Sequence, residues 1–89
     1  MQDRYLEVTF RKGKPLAAYL YLARASGAPS VRSEPTGAGM VVDIGAGGAP
    51  IGVEITAPSR ITLAEVNELL GRYGLAPLNS EELAPLLAA

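Results

Sequence analysis

The chain has 89 residues, 48% of them hydrophobic, and a formal net charge of -1 at pH 7. That length holds one domain with a real core but not two independent ones, and the charge lacks the basic excess of a nucleic-acid binder. Cysteine and histidine are both absent, which excludes disulfides, Cys/His zinc sites and every nucleophile arrangement built on histidine.

The first residues show no charged start followed by an apolar run, and no segment approaches the ~20 apolar residues of a membrane span. The expected location is therefore cytoplasmic. Residues 4–10 alternate, with Leu6, Val8 and Phe10 on one face and Tyr5, Glu7 and Thr9 on the other, as in a half-buried strand. A polar turn follows over Arg11–Pro15. Leu16 to Leu22 reads as a second strand, pairing with the first as an antiparallel hairpin. It directs Leu16, Ala18, Leu20 and Leu22 to one face, with Ala17, Tyr19 and Tyr21 on the other. Arg24 to Pro29 reads as a loop, Ser30 to Pro35 as a short, weakly apolar third strand, and Thr36 to Gly39 as a turn.

The stretch from Met40 to Ile55 reads as two strands joined by a glycine-rich turn, the central hairpin of the domain. With Ile44 opposite Ile51 and Val42 opposite Val53, the apolar residues Met40, Val42, Ile44, Ile51, Val53 and Ile55 line one face. A slip of two residues, placing Ile44 opposite Ala49, preserves that separation, whereas a slip of one destroys it. Gly45, Gly47 and Gly48 are expected to supply the positive φ angles of the turn.

After Ile55 the period changes. Thr62 and Glu65 match a capping box, and Leu63, Val66, Leu70 and Tyr73, widened by Leu69, form a helical stripe ending at Gly74. Asn79 to Glu82 repeats the capping pattern ahead of Leu83, Leu86 and Leu87, where Pro85 limits any helix to a short or kinked one. The expected architecture is a single α+β domain over residues 1–89. Residues 1–60 form a small, mostly antiparallel β-meander of four or five strands, 61–75 an amphipathic helix packed on one face, and 76–89 a short helical tail.

Few residues carry chemistry. Asp43 and Glu54 are expected as diagonal neighbours on one sheet face, a pair able to work as acid and base or to hold a cation, although a solvated pair is the plainer reading. The glycine run fits neither a dinucleotide loop nor a phosphate loop, because Pro50 stands where a glycine is required and a strand follows instead of a helix. Arg11, Lys12 and Lys14, with Tyr19 and Tyr21 further on, give a small basic and aromatic set of a kind that can bind single-stranded nucleic acid, but a solvated turn is the favoured reading. The stripe on the helix reads as core in preference to a groove-docking surface. Tyr19, Tyr21 and Val41, with Tyr5 near them, occupy the sheet face that the helix does not cover, where they either pack across strands or meet a partner.

The run Leu16–Leu22 resembles the D-A-L-Y-I-x-L strand of a family of small prokaryotic proteins, domain of unknown function 2283. The run from Gly39 to Arg60 is similar to the same family's G-V-I-V-D-Y-D…G-x-x-x-G-I-E-I-x-x-A-S-K, through Asp43, Gly48, Gly52-Val53-Glu54-Ile55 and Ser59-Arg60. The likeness spans residues 4–60 and departs from the family at Leu16, Gly45 and Gly47, where acidic residues are usual. It implies a short antiparallel sheet and a small accessory protein, in some members encoded beside a toxin-like partner.

The expected function is a non-enzymatic protein-interaction or self-associating module, contacting its partner through Tyr19, Tyr21, Val41, Asp43 and Glu54. The alternative is an antitoxin-like regulator that neutralises a partner protein. More remote is a carboxylate-based or metal-dependent enzyme. No cofactor or metal is expected. The expected partner is another protein or a further copy of the chain, and neither nucleic acid nor membrane.

Overall fold

A computed structural model of the chain describes residues 4–22, 30–36 and 39–87. The elements in order are strands β1 (Tyr5–Arg11), β2 (Lys14–Tyr21), β3 (Ser30–Pro35), β4 (Met40–Gly45) and β5 (Pro50–Ile55), a 3-10 turn at Pro58–Arg60, and helices α1 (Leu63–Arg72) and α2 (Ser80–Leu87). The loop expected over Arg24 to Pro29 lies outside the described residues, as do Gly37 and Ala38 of the turn that follows β3.

The strands form one open antiparallel sheet in the order β1-β2-β5-β4-β3. It is a hairpin and a three-strand meander joined where β2 meets β5, so the chain order is broken once. The join brings the buried faces of both parts together. Ala18, Leu20 and Leu22 of β2 and its exit, Val53 and Ile55 of β5, and Met40, Val42 and Ile44 of β4 all point to one side and are buried. Joining β2 to β5 puts β2, β5 and β4, which carry the buried residues, in the interior of the sheet and lets the poorly apolar β3 take an edge. Val66, Leu69 and Leu70 of α1 and Leu83 and Leu86 of α2 complete the same core, so both helices cover that one face.

The helix ends follow their signals. Thr62 caps α1, accepting from the Glu65 amide while the Glu65 carboxylate accepts from the Thr62 amide. At the other end Gly74 has φ +71°, its amide bonds to the Gly71 carbonyl, and the Leu75 amide bonds to the Leu70 carbonyl at 2.9 Å, a Schellman closure. Asn79 and Glu82 exchange a second reciprocal cap before α2. With Pro85 inside, α2 extends to only eight residues.

Four expectations need correction. The turn between β1 and β2 is two residues long and not five: Lys12 (φ +55°) and Gly13 (φ +80°) both adopt the left-handed region, and Arg11 pairs directly with Lys14. Positive φ at both central positions is the type I′ signature that matches strand twist, so β2 begins at Lys14. Phe10 and Leu16 were expected on the apolar face, yet they are 51% and 52% exposed. The register shifts between Thr9 and Phe10, and β5 pairs with β2 only from Ala18 to Tyr21. The outer end of the β1–β2 hairpin is therefore a two-stranded ribbon projecting past the sheet.

In the central hairpin Val42 faces Val53, but Ile44 faces Pro50, and Ile51 is only half-buried. Burial sets the alignment at Val42, whereas the turn bond from the Gly45 amide to the Ala49 carbonyl sets it at the other end. The two disagree by one residue, and a bulge at Ile51 reconciles them. Of the turn glycines only Gly48 has positive φ, at +86°.

Candidate functional site

On the face away from the helices the register builds two rows across all five strands. One runs Tyr5, Tyr21, Gly52, Asp43, Ser33, and the other Glu7, Tyr19, Glu54, Val41, Pro35. The five residues expected at an interaction surface thus lie together, with Asp43 and Glu54 diagonal across β4 and β5. Neither row contains a lysine or arginine.

Rings and carboxylates are linked along the diagonals. Tyr5 and Tyr21 stack with centroids 4.5 Å apart and planes inclined by 17°, and Tyr19 tilts against Tyr21 at 4.7 Å and 59°. The Tyr21 hydroxyl donates to Glu7 Oε1 at 3.0 Å. The Tyr19 hydroxyl crosses over β5 and donates to Asp43 Oδ2 at 2.7 Å, while Ser33 donates to Asp43 Oδ1, also at 2.7 Å. Diagonal reach of this kind suits an aromatic side chain on a pleated surface. It is open here because Gly52, beneath the Tyr19 ring, has no side chain to block it.

The electrostatics follow from these contacts. Burial, then the hydrogen bond to Asp43 and the charge of that carboxylate, hold the Tyr19 phenol protonated far above its ordinary range. The bond to Glu7, more than burial, raises Tyr21 as well. The carboxylates are thus met by neutral donors and not by cations. Glu54 is exposed, with no hydrogen bond or ion pair among the described residues. Three carboxylates beside three ring faces create negative potential with no counter-charge in the two rows, a setting that attracts a guanidinium or ammonium group.

Every oxygen of Asp43 already accepts from a fixed hydroxyl, and a phenol held protonated above its ordinary range is poorly suited as a general base or nucleophile. Among the described residues no group of three or more acidic, histidine or cysteine side chains could hold a metal ion. No helix among them is long and apolar enough to cross a membrane.

The basic residues of the first turn sit elsewhere. Arg11, Lys12 and Lys14 lie at the end of the ribbon with Pro15 and Leu16 around a shallow open hollow of about 320 Å³. At ~3.4 Å per residue this end is roughly 14 Å along the strand from Glu7, so the basic and aromatic residues do not form one patch.

Sequence reasoning missed Glu7, Ser33 and the role of Gly52. The parity of Glu7 with Tyr5 was legible. Ser33 required the β3–β4 register, and Gly52 required knowing which ring lies over it. Comparison with family models, curated proteins and solved structures returns no match.

Proposed function

We propose that this chain is a non-enzymatic protein-interaction module that meets its partner, another protein or a further copy of itself, through the tyrosine face of the sheet. One observation carries this reading. Tyr5, Tyr19 and Tyr21 share with Glu7, Asp43 and Glu54 a face that neither helix covers and whose two rows hold no cation. Tyrosine adds large, rigid contact area at low entropic cost, and its hydroxyl tolerates both water and burial, which is why it is enriched at interfaces. Stacking and the bonds to Glu7 and Asp43 already fix the rings, so little ordering is left for association to impose.

The test compares affinity capture from lysate by the wild-type chain and by a Tyr5→Ser/Tyr21→Ser variant. These two rings are chosen because neither belongs to the buried core: Tyr5 is 58% exposed and Tyr21 stacks beside it. A stoichiometric partner, itself included, that is retained by the wild type and lost by the variant supports the reading. Identical retention by both proteins would overturn it.

A further inference from the structure

The ribbon at the end of β1 and β2 has features that the tyrosine face does not explain. It bears Arg11, Lys12 and Lys14, and the sequence has no acidic residue between Glu7 and Glu34. None of the three cations has an ion pair or hydrogen bond among the described residues. Phe10 and Leu16 add exposed apolar surface beside them, at 51% and 52%. Lys12 occupies the left-handed region at φ +55°, where Asn, Asp or Gly is the unstrained choice for a type I′ turn. A lysine at that apex retains charge at some local conformational cost.

The same molecule thus carries a projecting basic ribbon with apolar flanks and a face of three carboxylates and three aromatic rings. The two cannot meet within one chain, because the ribbon is a continuation of the sheet that bears the face and cannot bend back over it. We propose that the ribbon of one copy occupies the tyrosine face of a second, so that the protein associates head to tail. Arg11, Lys12 and Lys14 then lie against Glu7, Asp43, Glu54 and the tyrosine rings, while Phe10 and Leu16 lose their exposure to water. Charge complementarity favours this occupant, and the combination of cations with ring faces and carboxylates adds cation–π attraction to simple pairing. The contact is heterologous, so it propagates into a ring or an open series and does not stop at a symmetric dimer. The inference rests on the tyrosine face being a protein-contact surface.

The experiment is sedimentation equilibrium of the full chain across protein concentration at low and high salt, with two charge variants. Lys12→Asp/Lys14→Glu reverses the ribbon while placing Asp-Gly, a favoured type I′ pair, at the turn, and E54K alters the face at an exposed residue without a partner. The wild type should form a concentration-dependent series that weakens at least about tenfold in high salt. Each variant alone should associate at least about tenfold more weakly. Their equimolar mixture should recover a one-to-one complex and no larger species, because only the intact face of the first and the intact ribbon of the second can pair. A wild type that stays monomeric throughout overturns the inference, as does a mixture that fails to pair. Association lost in E54K but untouched by the ribbon variant overturns the ribbon's role and leaves the reading of the face standing. Binding of the ribbon to duplex DNA without any self-association also overturns it, and identifies the ribbon's partner as a polyanion.

Discussion

The ring of Tyr19 lies where the β-carbon of any residue but glycine at position 52 would stand. A strand glycine normally weakens a sheet through lost packing and added backbone freedom. Here an aromatic side chain from the neighbouring strand fills the gap and carries its hydroxyl on to Asp43, two strands away from its own.

Gly52→Ala should therefore destabilise the domain, against the ordinary expectation for adding a methyl group to a strand. The Tyr19 ring must swing aside and lose its bond to Asp43, a cost of about 1–2 kcal/mol. Denaturant unfolding measures it. In a double-mutant cycle Tyr19→Ser should abolish most of the penalty, because the ring that obstructs the methyl group is gone. Additive losses would show that the glycine is required for another reason.

Alkaline pH should probe the same bond. The phenol of Tyr19 has its folded-state pKa raised above the unfolded value of 10.0. Its contribution to stability is therefore complete below about pH 10 and is lost as pH rises from there through the folded value. Stability measured from about pH 8 to about pH 11 should fall at the upper end, and Tyr19→Phe, which has no proton to lose, should flatten that fall. Tyr21 and Tyr73 are also raised, through Glu7 and Glu34, so part of the decline should persist in the variant. An unchanged slope would remove Tyr19 from the account.

Asn67 should matter more than its place on an amphipathic helix suggests. Its Nδ2 donates to the Leu78 carbonyl at 3.0 Å and its Oδ1 accepts from the Leu78 amide at 2.7 Å. This clamp seats the buried Leu78 between the two helices. Asn67→Ala leaves both backbone groups of Leu78 without a partner and should cost about 2–3 kcal/mol by denaturant unfolding. Amide exchange at Leu78 should accelerate at the same time. A loss under about 0.5 kcal/mol would mean that water replaces the clamp.

Phe10→Ser and Leu16→Ser should leave stability within about 0.5 kcal/mol of the wild type, since more than half of each side chain is already in water. Leu20→Ala, from the same hairpin but only 1% exposed, should cost about 2–5 kcal/mol. Thermal unfolding of the three variants distinguishes the projecting ribbon from the sheet proper. A large loss at Phe10 or Leu16 would place the ribbon within the folding core.

Much of this molecule is set locally. Alternation decides which side of each strand is apolar, and reciprocal Thr62–Glu65 and Asn79–Glu82 bonds start both helices within four residues of chain. Gly74 and Leu75 end the first by equally local geometry. For the same reason Tyr19, Tyr21, Val41, Asp43 and Glu54 were legible as residues of one face, because parity alone assigns them to it. What only the tertiary structure decided is who meets whom. Nothing in the alternation says that β2 pairs with β5, that Ser33 reaches Asp43, or that Tyr19 lies over Gly52. Nor does it say that β5 stops opposite Ala18 and leaves Phe10 and Leu16 without cover. A strand's own residues determine its faces, but its neighbours and its overhang depend on how all the apolar surface is buried at once.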